Sequence, residues 1–191
     1  MRCYIYLFRH GVTPDNAEGI FSGWRNVGLN AKGFRDAKIV ALRLKDNKID
    51  LAFQSSLVRS KQTLKEVLKY HPECRRIIED DRIIERSYGN LQGKTHLNIV
   101  ERDGYKKYDL WHRGYNDKPP KGESLKEVNR RVMSFIRDLL KMIKKNKIDV
   151  AISAHGNSMR AFRRYFEKLS VEEMCTLYND YEIVYIYSVK V

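Results

Sequence analysis

The residues of this chain best suited to chemistry stand at the ends of apolar runs. Arg9 and His10 follow the run at residues 3–8 and precede Gly11; His155 closes a second run, residues 148–154, and precedes Gly156. Short unbroken runs of aromatic and branched residues read as buried strands, and a charged pair at the tip of one needs a partner. A third run, residues 49–53, leads through a turn to Arg59 near the start of a helical pattern. In an open α/β sheet, ligands bind at the carboxyl ends of strands, so both His-Gly tips and the arginine can meet in one pocket. Arg9, His10, Arg59 and His155 would form a compact cationic cluster suited to a phosphoryl group, aided by the anion affinity of a helix N-terminus. A lone histidine more often serves structure than catalysis. Two at matched strand ends, each before a residue that permits close approach, reverse that balance.

The elements that position these residues alternate between strand and helix. A loop through Trp24 follows the first strand, and residues 31–44 place Phe34, Ala37, Ala41 and Leu44 near helical spacing. A second helix runs on through Val67, a short extended segment is expected near Ile77, and a polar, tyrosine-rich stretch continues to Trp111. Residues 116–124 read as a loop. The strongest helix starts at Ser124, where Glu127 completes a capping box. Leu125, Val128, Val132, Phe135, Leu139 and Ile143 then form an apolar stripe that should pack on a sheet. Ser170 and Glu173 mark another capping box, and residues 181–191 close the chain as a strand. The pattern predicts a single α/β domain over residues 1–191, three-layered α/β/α with a largely parallel central sheet.

Composition removes several classes of function. The net charge of +13 comes from 37 Lys and Arg against 24 Asp and Glu. These basic residues are spread along helices without the aromatic and glycine interleaving of an RNA-binding strand, so they read as solvated surface rather than a nucleic-acid footprint. Cys3, Cys74 and Cys175 are isolated and odd in number, which suits a reducing compartment, here the cytoplasm, and no disulfide framework. No leader pattern precedes Cys3, and no apolar run nears the about 20 residues that span a bilayer. His71, His96 and His112 lack metal-ligand spacing, so no metal is expected. The stretch SAHGNS is not a serine-hydrolase elbow, and no P-loop occurs. Oligomeric state is left open, a dimer included.

The motifs in order are RHGVTPDN (residues 9–16), FSGW (21–24), SSLVRSKQT (55–63), ERSYGNLQG (85–93), WHRGY (111–115), GESL (122–125) and AHGNSMR (154–160). Together they span nearly the whole chain and strongly resemble the histidine phosphatase superfamily, in particular its phosphoglycerate mutase branch. The resemblance implies a metal-independent enzyme in which His10 is the nucleophile that becomes phosphohistidine. It makes Arg9, Arg59 and His155 the contacts of the transferring phosphoryl oxygens, and Glu85 the proton donor and acceptor at the bridging oxygen. Fixed cations around those oxygens stabilise the charge that spreads over them in the transition state, and a covalent intermediate divides the barrier.

The resemblance also implies a substrate, a small phosphorylated metabolite. Asn16, Ser22, Gly23, Arg86, Tyr88, Arg113, Gly156 and Asn157 match positions expected to bind a short phosphorylated acid such as phosphoglycerate, with 2,3-bisphosphoglycerate as phosphoryl donor. His96 and His112 stand where mutases of the branch carry Lys and Arg. The insertion those mutases place before GESL and their C-terminal tail do not occur here. The expected activity is therefore interconversion of 3-phosphoglycerate and 2-phosphoglycerate, with phosphomonoester hydrolysis as the alternative and measurable hydrolysis expected beside isomerisation.

Overall fold

The computed structural model describes residues 1–191. Its centre is a five-stranded sheet of β1 (Arg2–Arg9), β2 (Leu51–Gln54), β3 (Arg76–Glu79), β4 (Val150–Ala154) and β5 (Val184–Lys190), in the order β3-β2-β4-β1-β5. The first four are mutually parallel and β5 runs antiparallel beside β1. Central β4 is buried at all five residues, as a strand covered on both faces must be.

Alternation along β1 shows how the layers form. Cys3, Ile5 and Leu7 join one core cluster, while Tyr6 and Phe8 join the other. The first cluster is covered by α6 (Leu125–Asn146) and α7 (Gly156–Glu167), the second by α2 (Ala31–Leu44) and α3 (Val58–Leu68). The apolar stripe of α6 is buried throughout, and Ser124 caps it by accepting from the Glu127 amide. This is the expected α/β/α sandwich.

Two stretches differ from the reading by pattern. The loop after β1 holds a one-turn helix, α1 (Pro14–Ala17), closed by reciprocal bonds between Thr13 and Asn16. The tyrosine-rich stretch folds as a pair of short helices, α4 (His96–Asp103) and α5 (Tyr105–Arg113), hinged at Gly104. Only Ile99 of α4 and no residue of α5 is fully buried, so neither helix has a continuous apolar stripe to announce it. A last short helix, α8 (Val171–Thr176), begins at the Ser170 cap.

Candidate active site

Parallel pairing of β1 with β4 sets Arg9 opposite Ala154, so the next residue of each chain segment leaves the sheet side by side. His10 N–H donates to the Ala154 carbonyl at 3.0 Å, and the His10 and His155 rings stand 5.0 Å apart. His10 Nδ1 lies 2.8 Å from the Gly11 carbonyl oxygen. A carbonyl only accepts, so the proton sits on Nδ1 and Nε2 keeps its lone pair. Gly11 itself is pressed onto α2: a β-carbon there would fall 2.1 Å from the Gly33 carbonyl oxygen. Its amide donates to Thr63 Oγ1 on α3, which donates in turn to the Arg59 carbonyl. His155 Nε2 pairs with Ser55 Oγ at 2.7 Å, and its Nδ1 is buried without a partner.

Two guanidiniums flank these rings. Arg59, in the first turn of α3 and 1% exposed, donates from Nη1 to the Arg25 carbonyl and from Nη2 to the Gly23 carbonyl. Gly23 presents that carbonyl from a φ of +49°, a conformation glycine adopts at no steric cost. Arg9 donates from Nη1 to the Asn179 carbonyl at 2.9 Å. The Nε of both arginines is buried and unpartnered, which leaves donors for an oxyanion. Burial first, then the two guanidiniums, hold His10 well below the usual imidazole range; burial, Arg59 and His10 do the same to His155. Burial also draws Arg59 down to about 10, opposed by Glu85 and Asp15, which keeps it charged at neutral pH. The four residues do meet, but as two cations framing two neutral imidazoles rather than as four cations.

Glu85 belongs to no helix or strand, and the half-buried Arg131 holds its backbone in place. Arg131, on α6, donates to the carbonyls of Arg82, Ile84 and Glu85 while paired with Glu123 at 3.0 Å. Trp24 Nε1 donates to the same Glu85 carbonyl at 2.7 Å. The Glu85 carboxylate takes three N–H bonds on Oε1, from the Arg86 amide and from the amide and side chain of Asn157. Oε2 is thereby the oxygen available to carry a proton. One ring nitrogen each of His10 and His155 and one Glu85 oxygen lie within 4.8 Å of one another. These three groups are the ones close enough to share a metal ion, but the flanking guanidiniums repel a cation.

Arg86 requires a correction. Its side chain is fully buried and donates to the carbonyls of Glu123, His112 and Asp117, so it braces the loops behind the site and does not line the cavity. Burial makes it the more costly to leave unpaired, which explains why all its bonds go to backbone.

The cavity over His10 has a volume of about 280 Å³ and is lined by Arg9, Arg59 and Glu85 at its base. Asn16, Ser22, Gly23, Tyr88, Gly156 and Asn157 also line it, together with the exposed Arg113. Ser22 Oγ donates to the buried Asp15 carboxylate, so toward the cavity it can accept. Tyr88 Oη accepts from Asn157 Nδ2, which frees its own proton to donate. The outer wall is a cluster of tilted rings, Phe21, His96 and His112, with centroids 4.1 Å apart for Phe21–His96 and 5.1 Å for the two histidines. Burial lowers His96, and burial with neighbouring His96 and Arg160 takes His112 down to about 3, so both are neutral near pH 7.

Several lining residues went unremarked in the sequence. Arg160 follows Asn157 at helical spacing i,i+3, a signal that was present in AHGNSMR. Asn179 and Tyr178 come from the irregular segment before β5, where no pattern marks them.

A family model described as Histidine phosphatase superfamily (branch 1) matches residues 5–190. The chain belongs to this superfamily. A 2,3-bisphosphoglycerate-dependent phosphoglycerate mutase of Cytophaga hutchinsonii is 34% identical over 170 residues, covering 89% of this chain and 80% of the relative. The mutase of the same description from Chlamydia felis is 33% identical over 200 residues, covering 91% and 88%. Among solved structures, the alpha-ribazole phosphatase of Shigella flexneri superposes with a TM-score of 0.81 at 24% identity, covering 97% of this chain and 89% of that one. A mycobacterial glucosyl-3-phosphoglycerate phosphatase does so with a TM-score of 0.80 at 23% identity, covering 94% and 86%. The structural likenesses establish the histidine phosphatase fold, and family membership with the mutase relatives marks the chain as an enzyme of this superfamily. No helix is long and apolar enough to cross a membrane.

Proposed function

We propose that the chain transfers phosphoryl groups through a phosphohistidine on His10 and interconverts 3-phosphoglycerate and 2-phosphoglycerate. The observation that carries the phosphohistidine is the Nδ1 bond to the Gly11 carbonyl, which leaves the Nε2 lone pair free in a cavity that Arg9 and Arg59, each with an unpartnered Nε, also line. The mutase relatives support the choice of reaction.

In the first half-reaction the Nε2 lone pair forms a bond to phosphorus as the ester P–O bond breaks, and the proton on Glu85 Oε2 passes to the departing oxygen. Arg9, Arg59 and His155 stabilise the equatorial oxygens through this step. In the second half-reaction an acceptor hydroxyl attacks phosphorus, Glu85 Oε2 takes its proton, and the N–P bond returns its electrons to Nε2. Ser22, Arg113 and Asn157 hold the glycerate so that its hydroxyl, and not water, lies in line. The buried, unpartnered guanidinium donors fit the phosphoryl group of 2,3-bisphosphoglycerate; when bound, that compound supplies the phosphoryl group that primes His10.

A second reading, hydrolysis of small phosphomonoesters, draws on the outer wall. His96 and His112 are neutral there, which leaves Arg113 and Arg160 as the cations available for a second anionic group. Incubation of 3-phosphoglycerate with and without 2,3-bisphosphoglycerate, following 2-phosphoglycerate and free phosphate, separates the two. The expected result is donor-dependent 2-phosphoglycerate with slower phosphate release, and an adduct on the His10 peptide in mass spectrometry under alkaline conditions. Phosphate release without 2-phosphoglycerate favours the phosphatase. An adduct on His155, or one that persists in His10→Ala, overturns the nucleophile.

A further inference from the structure

The segment between α8 and β5 has no regular structure, yet a run of hydrogen bonds ties it beside the site. Arg160 Nε donates to the Leu177 carbonyl at 2.7 Å, and Arg163 Nη1 donates to the Tyr178 carbonyl and to Asn179 Oδ1, each at 3.1 Å. Asn179, 3% exposed, donates from Nδ2 to the Gly156 carbonyl at 2.9 Å and accepts Arg9 Nη1 on its own carbonyl. Two residues later the Tyr181 ring lies under the Arg9 guanidinium, with Cζ 3.9 Å from the ring centroid, and meets the His10 ring edge-on at 6.2 Å.

These contacts divide the Arg9 guanidinium into a held part and a free part. Nη1 is fixed by the Asn179 carbonyl and one face is covered by the Tyr181 ring. Nε is buried without a partner, and Nη2 faces the same open spot above Gly156 as Glu85 Oε2, each 3.5 Å from where a β-carbon would be. Nε and Nη2 form the side-on edge of the fork, the geometry that grips two oxygens of one oxyanion. An arginine side chain has several free torsions, so a fork aimed in this way needs something to hold its plane.

We propose that Tyr181 is a positioning residue for the phosphoryl site: its ring fixes the plane of the Arg9 guanidinium so that Nε and Nη2 face the transferring phosphoryl group. The inference rests on the phosphoryl-transfer reading above. Tyr181 does not line the cavity over His10, and its work is done by the ring face, which phenylalanine also offers and leucine does not.

The test uses the whole chain and orthovanadate, an oxyanion that can adopt the five-coordinate geometry of the transition state, with binding measured by calorimetry and folding checked by thermal melts. Tyr181→Ala and Tyr181→Leu should each weaken vanadate about tenfold, and Tyr181→Phe should stay within about threefold of the parent. In an Arg9→Gln background, Tyr181→Ala should add less than about twofold, because the two residues act as one unit. Leucine binding as well as phenylalanine, or an equal loss with and without Arg9, overturns the positioning role and leaves phosphoryl transfer standing. A parent chain that does not bind vanadate at all overturns both.

Discussion

The base and the outer wall of the cavity are built in different ways. At the base, His10, Arg59 and His155 are at most 2% exposed and hang from β1, α3 and β4, of which β1 and β4 are each hydrogen-bonded to a strand on both sides. The outer wall hangs from α4 and α5, which bury Ile99 alone and leave Leu97 and Tyr105 65% and 68% exposed. It is held to the body by a small cluster of Phe21, Tyr88, Leu91 and Ile99, with Tyr108 and Trp111 packed against it. In the proposed reaction the groups that must meet a phosphoryl oxygen to within a few tenths of an ångström are placed by the sheet and by the helix that follows β2. In the proposed reaction Arg113, one of the groups that hold the carrier of the phosphoryl, sits instead on one of the least buried helices, where substitution disturbs little else.

The largest effect that separates the two regions is expected at the base. Arg59→Ala should lower the rate of both isomerisation and phosphate release by at least about a hundredfold, the cost of one preorganised donor to developing charge. Steady-state assays of the two products measure it. A near-normal Arg59→Ala enzyme would remove this residue from the chemistry.

At the rim the expected effect is smaller and unequal. Arg113 is exposed, so Arg113→Ala should leave the fold intact, lower isomerisation about tenfold and alter phosphate release by less than about threefold. Equal losses in both reactions would show that the outer wall does not choose the acceptor, and the contrast between the regions would fail.

The remaining effect is one of stability. His10, His155, His96 and His112 are all held below the usual imidazole value in the folded chain, His112 at about 3. An unfolded histidine titrates near about 6.5, so below that pH the unfolded chain binds protons that the folded chain refuses. Stability is full above about 6.5 and falls as the pH drops toward 3, by up to about 1.4 kcal/mol per pH unit for each such imidazole. Urea titrations at pH 7, 6 and 5 should show the decline, and His112→Phe should make it shallower by one imidazole's share. An unchanged slope in His112→Phe would mean that the outer wall opens and hydrates before the base does.

Much of this architecture was legible in the chain. Apolar runs of strand length, two capping boxes at Ser124 and Ser170 and a period-matched stripe on α6 depend on residues near in sequence, and each appears in the structure where the pattern placed it. The motifs were equally local, so Arg9, His10, Arg59, Glu85 and His155 could be named before any coordinates. The meeting of Arg9 and His10 with His155 required only that β1 and β4 be neighbours, whereas Arg59 also needed β2 beside β4 and Glu85 needed the bonds from Arg131. Packing decided the rest. Whether an arginine grips a ligand or braces a loop depends on which carbonyls surround it: Arg86 stands in the same motif as Glu85 yet bonds three backbone oxygens out of reach of the cavity. Charge states were also a tertiary matter, since desolvation and two adjacent guanidiniums keep a pair of histidines neutral well below the usual imidazole range. The contacts of Asn179 and Tyr181 with Arg9 join residues some 170 positions apart along an irregular segment. No periodicity records such contacts, because they arise only when the last strand folds back beside the first.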